Sequence, residues 1–110
     1  MAEQYDLYGA MSLSMKELCI KVEKVLSIKF DLHDSMYRGG DYYRAGLLGS
    51  NEEIAIQLNR FVLYDEEETA EPSYSEYPVI LRIAWTQRGD EYRRKLNEIE
   101  GLDFLRRESR

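Results

Sequence analysis

Residues 79–85, Val-Ile-Leu-Arg-Ile-Ala-Trp, form a nearly uninterrupted apolar run in a chain of 110 residues. A run of that length, rich in branched and aromatic side chains and preceded by Pro78, reads as a strand covered on both faces. Such a strand needs a neighbour on each side and a layer over each face, which already demands a layered sheet. At this length folding buries about two-thirds of the unfolded surface, so a single domain over residues 1–110 is expected, with no need of staples.

The rest of the chain supplies partners for that strand. Tyr5 to Met11 reads as a first strand, weakened by Gly9. Ser14-Met15-Lys16-Glu17 is a capping box. Behind it Leu18, Cys19, Val22, Val25 and Leu26 make one apolar helical stripe, so a helix is expected over 14–27. Ile28, Phe30 and Leu32 alternate with polar residues as a second strand. Gly39-Gly40 marks a turn, Tyr42 to Leu47 a third strand, and Gly49-Ser50-Asn51 another turn. Ile54, Ile56 and Leu58 mark a fourth strand, the hairpin partner of the third. Asp90 is the expected N-cap of a helix over 91–100, with Gly101 beyond its end. Leu102, Phe104 and Leu105 fit a short edge strand or a helical turn. The expected fold class is α+β: an antiparallel or mixed sheet of about five strands with two helices packed on it. Leu18, Val22, Val25, Ile54, Ile56, Leu58, Leu81 and Ile83 are the expected core.

Charge is distributed very unevenly. Segment 65–76, DEEETAEPSYSE, holds six of the 21 acidic residues and no basic one. The remaining fifteen acids are matched by fifteen Lys and Arg, so the net charge of −6 comes from this one stretch. A block of like charge resists burial, and an acidic loop over 65–78 is expected. Tyrosines interleave with it. Six of the nine Tyr, at 37, 42, 43, 64, 74 and 77, lie between residues 34 and 77. A tyrosine ring offers rigid contact area with a polar tip, which suits interfaces, although aromatics are also common strand residues. The candidate partner-binding residues are therefore Asp65, Glu66, Glu67, Glu68, Glu71, Tyr74, Glu76 and Tyr77, with Tyr37, Asp41 and Tyr43 beside them.

No catalytic or metal-binding constellation emerges. His33 is the lone histidine, and neighbouring strand residues point to opposite faces, which argues against a His33–Asp34 base-and-orienter pair. Cys19 lies on the apolar helix stripe and reads as core. Arg38-Gly39-Gly40 runs into strand-like Tyr42-Tyr43-Arg44 rather than a helix N-terminus, so the glycines read as a turn, not a phosphate cradle. One His and one Cys cannot build a zinc site, and Asp65–Glu68 lacks the spacing and turn glycine of an EF-hand. No cofactor is expected. With a pI of about 4.8, nonspecific nucleic-acid binding is unfavourable. No apolar run approaches the ~20 residues of a membrane span. The N-terminal MAEQYDLYGAMS lacks the pattern of a signal peptide. Together with the single cysteine, this points to the cytoplasm.

The succession DSMYRGGDYY, EEIAIQLN, the acidic segment, EYPVILRIAW and LDFLRRES, over residues 28–108, resembles small bacterial immunity proteins. These are the antidotes encoded beside polymorphic toxins, as in contact-dependent growth inhibition. The resemblance implies a non-enzymatic protein that binds a cognate toxin domain in the cytosol and blocks its active site or substrate groove. It further implies a basic nuclease as the toxin, countered by an antidote that imitates the charge of nucleic acid. Two other classes stay open: a small enzyme using the 33–44 region, and a regulatory or structural homodimeric subunit joined through the edge of strand 79–86.

Overall fold

A computed structural model describes residues 3–46 and 51–109. In chain order the elements are β1 (Gln4–Ala10), α1 (Met15–Leu26), β2 (Asp31–Ser35), β3 (Gly40–Gly46), β4 (Glu53–Leu58), β5 (Arg60–Leu63), β6 (Glu66–Thr69), β7 (Val79–Thr86), α2 (Gly89–Leu96) and β8 (Leu102–Ser109). Single 3-10 turns lie at Met36–Arg38 and Pro72–Tyr74. The turn expected at Gly49-Ser50 and the end of the third strand at Leu47 fall outside the described residues.

The fold is α+β. Six strands form one antiparallel sheet in the order β2-β3-β4-β7-β1-β8, and β5 and β6 form a separate two-stranded ribbon. The apolar run holds the centre, since β7 pairs with β4 on one side and β1 on the other. That position excludes a dimer built on the edge of strand 79–86, because both of its edges are occupied. The edges of the sheet are β2 and β8 instead.

Both helices pack on one face. Tyr8, Ala10, Ile54, Ile56, Val79, Leu81 and Ile83 meet Leu18, Cys19, Val22 and Leu26 of α1 and Tyr92 and Leu96 of α2 in one buried cluster. Of the expected core, Val25 and Leu58 pack at its margin and the others are buried. The capping box is formed: the Glu17 amide donates to Ser14 Oγ at 3.1 Å, and the Ser14 amide donates to Glu17 Oε1 at 3.0 Å.

Three boundaries differ from the expected ones. The second strand starts at Asp31, because the chain leaving α1 stays tied to that helix. The Phe30 amide donates to Glu23 Oε2 at 2.8 Å, and Ile28 and Phe30 pack on the core. The second helix is shorter than 91–100 and begins at Gly89. Asp90 does not cap it, since its carboxylate is taken by Arg107 Nη1 at 2.6 Å. Leu102–Phe104 belong to a full edge strand, held to β1 along its length.

The face of the sheet away from the helices is not bare. Leu7, Gly9, Ala55, Gln57, Ile80 and Arg82 alternate in sequence with the core residues and point there. Segment 70–78 lies over part of it. A Cβ placed on Gly9 would stand 2.6 Å from the Tyr77 ring and 2.9 Å from Leu105. Gly9 is therefore the residue that lets this covering layer seat on the sheet.

Candidate functional site

The acidic segment, expected as one loop over 65–78, is two structures with different chemistry. Its first half is a strand. β5 pairs with β6 through Arg60 opposite Thr69, Phe61 opposite Glu68, Val62 opposite Glu67 and Leu63 opposite Glu66. The connection is the two residues Tyr64 and Asp65, with φ of +51° and +64°. Two residues of positive φ joining antiparallel strands is the geometry whose twist suits a hairpin, and it ordinarily selects Asn-Gly. A tyrosine there is a conformational outlier. Asp65, Glu66, Glu67 and Glu68 are all exposed on this ribbon.

The second half is built into the fold around Asn59, which is fully buried. Its amide donates to Pro78 O at 2.9 Å, and its carbonyl accepts from the Ala70 amide at 2.7 Å. Its side-chain nitrogen donates to Tyr74 O and Tyr77 O, each at 2.9 Å, and its side-chain oxygen accepts from the Glu71 amide at 2.8 Å. One side chain thus closes the 60–78 excursion at its base. Glu71 receives Arg82 Nη2 at 2.6 Å and Arg106 Nη2 at 3.0 Å, and its carboxylate is largely buried between them. The Tyr74 hydroxyl donates to Leu105 O at 3.1 Å and that of Tyr77 to Asp103 Oδ2 at 2.9 Å. The bond to Asp103 holds the Tyr77 phenol above its ordinary pKa.

The candidate residues therefore separate. Glu71, Tyr74 and Tyr77 are part of the layer over the sheet. Tyr43 packs edge-on to Phe30 beside the core, ring centroids 6.4 Å apart. Glu76 and Asp41 are exposed, with Asp41 paired across the ladder to Asp34. Tyr37 is exposed, and its hydroxyl meets that of Tyr64 at 3.1 Å. Gly39, at φ +84°, ends the 3-10 turn against Phe61, where a Cβ would sit 3.2 Å from that side chain. These two contacts lay the 3-10 turn of residues 36–38 against the acidic ribbon. The two segments singled out in the sequence thereby come into contact, with Met36, Tyr37 and Tyr64 exposed beside the junction, while Val62, next to Phe61 on β5, points to the other face of the ribbon.

The remaining candidate residues are placed as follows. His33 stacks on Tyr42, centroids 5.6 Å apart, while Asp34 sits opposite Asp41. Arg38 lies over the same Tyr42 ring and pairs with Glu53 at 2.8 Å. Gly40, at φ +94°, opens directly into β3, so the Gly pair turns the chain. Burial pushes the Cys19 thiol up to about 11, far from a reactive thiolate.

Sequence reasoning did not single out Glu52, which is buried immediately before β4. Its carboxylate accepts from Thr86 Oγ1 at 2.8 Å, from Arg88 at 3.0 and 3.3 Å, and from the Tyr92 hydroxyl. Burial alone would raise its pKa, but these donors outweigh it and hold the group below the ordinary value. Glu52 is thus a tie between β4, β7 and α2.

Comparison with known proteins returns no matching family model, no matching curated protein and no matching solved structure. No helix among the described residues is long and apolar enough to cross a membrane.

Proposed function

We propose that this chain is a protein-binding antidote of the immunity class: it binds a cognate toxin domain, a basic nuclease, and blocks its active site. The observation that carries this reading is the Tyr37–Tyr64 hydroxyl bond. It joins an exposed aromatic patch to a hairpin bearing four consecutive exposed acids, Asp65–Glu68. Exposed charges of one sign steer an oppositely charged partner, and rigid rings beside them supply contact area. The resemblance over residues 28–108 points to the same class. In this reading the toxin meets Tyr37, Tyr64 and Asp65–Glu68, while Glu71, Tyr74 and Tyr77 hold the hairpin in place.

The test is a complex between this protein and the toxin domain encoded by the neighbouring gene. A stable complex that abolishes the toxin's nuclease activity is the expected result. A folded protein that neither binds nor inhibits that domain removes the reading. Turnover in a broad substrate screen that is lost in His33→Ala would replace it with the enzyme alternative.

A further inference from the structure

Met36, Tyr37 and Tyr64 are three of the eight large apolar or aromatic side chains exposed among the described residues. All three lie where the hydroxyl bond joins the 3-10 turn to the hairpin. A concentration of exposed apolar area of this kind marks a contact surface. Its surroundings are almost entirely of one sign. Asp65, Glu66, Glu67 and Glu68 line the hairpin, and Asp34 and Asp41 stand exposed on the strands flanking the 3-10 turn. Of the cations on these elements, Arg38 is held by Glu53 over the Tyr42 ring, Arg44 also pairs with Glu53, and Arg60 lies at the far end of β5, opposite Thr69.

On the reading that this face binds a protein, we propose that Tyr37 and Tyr64 form the seat of an arginine side chain from that partner. The π face of a tyrosine attracts a cation. A guanidinium lies flat on a ring while its in-plane N–H groups remain free to reach carboxylates. Asp65 and Glu66, which follow Tyr64 directly and are exposed, are the acceptors nearest in sequence for that fork. An ammonium is a compact, strongly hydrated charge and fits a flat ring less well. A purely apolar occupant would bury rim carboxylates without a partner. A second copy of this chain would set the same acids against one another, because a two-fold contact pairs a patch with itself. The hydroxyl bond brings the two rings together before binding, which lowers the ordering needed on contact.

The probe is N-acetyl-arginine amide, titrated into the isotope-labelled protein and followed by backbone amide shifts. The lysine and citrulline amides serve as controls. The expected result is saturable shifts at Tyr37, Tyr64, Asp65 and Glu66, with the arginine amide binding several-fold tighter than either control. Tyr64→Leu and Tyr37→Leu should each weaken the arginine response about two- to fivefold, as loss of one exposed cation–π contact does. Unmoved sheet amides report that these variants fold. Equal responses to arginine and lysine overturn the seat, and that comparison needs no variant. So do shifts spread over all surface carboxylates alike. A toxin domain that binds with kinetics unchanged by Tyr64→Leu would leave the antidote reading standing and remove this inference alone.

Discussion

The ring of Tyr77 lies directly on Gly9. A Cβ on Gly9 would stand 2.6 Å from two of its carbons. In an open strand an alanine would stabilise relative to glycine by roughly 0.5–1 kcal/mol. Here the sign reverses. Gly9→Ala should lower the urea midpoint, and Gly9→Val should destabilise by about 1–3 kcal/mol, as overpacking does. The same Gly9→Ala change made in Tyr77→Ala should cost much less, with only the Leu105 contact at 2.9 Å left to give way, which a double-mutant cycle would register as coupling. Independent, additive effects would show that the two residues do not share this contact.

Asn59 makes the second structural prediction. In Asn59→Ala the Tyr77 carbonyl and the Glu71 amide lose this partner, whereas the Tyr74 carbonyl keeps the Tyr77 amide at 3.0 Å. Stranded polar groups cost about 1–3 kcal/mol each, so a loss of about 2–6 kcal/mol is expected from the two. Hydrogen exchange should accelerate at Ala70, Glu71 and Tyr77 before it changes in β4 or β7. Uniform acceleration over the sheet would mean that the excursion is not a separate unit.

Glu52 should govern part of the acid limb of stability. Its pKa is held below the ordinary 4.5 in the folded chain, because the bonds from Arg88, Tyr92 and Thr86 outweigh the effect of burial. A depressed carboxylate contributes stability that is complete above the unfolded value and vanishes as pH falls through the folded one. Glu52→Gln should therefore cost about 1–3 kcal/mol at pH 7 and progressively less as pH falls below the ordinary carboxylate value. Urea midpoints for the two proteins should converge on acidification. Parallel curves would contradict this.

The sheet and its core were legible because their signals are periodic. Residues 79–85 announced a central strand, and the stripe from Leu18 to Leu26 with its capping box announced α1. What escaped was the β5–β6 ribbon. Arg60–Leu63 is too short to show alternation, Glu66–Thr69 is poor in strand formers, and Tyr64-Asp65 replaces the usual turn glycine. The acids marked the segment but could not say which of them face water. That division depends on Arg82 and Arg106, distant in sequence and aligned only by the pairing of β7, β1 and β8. Glu52 was invisible for the same reason, since its partners lie 34 to 40 residues away.

That division within one acidic segment gives the last prediction. Glu66, Glu67 and Glu68 are exposed on β6, while Glu71 sits between Arg82 Nη2 and Arg106 Nη2. Replacing the first three with Gln removes charge from water and should leave the urea midpoint within about 0.5 kcal/mol of wild type. Glu71→Gln leaves two guanidiniums facing each other and should cost about 1 kcal/mol, a modest figure because both arginines are partly solvated. Binding should invert the ranking. Steering charges act on association and are screened by salt. If the partner is the basic toxin domain proposed above, the triple Gln variant should therefore bind it severalfold more slowly at low ionic strength and nearly normally at high. Glu71→Gln should associate like wild type, since its charge is already matched by the two arginines. Measuring both rates at two ionic strengths decides the matter. If Glu71→Gln slows association as much as the triple change, the covering layer rather than the hairpin is the surface that meets the partner.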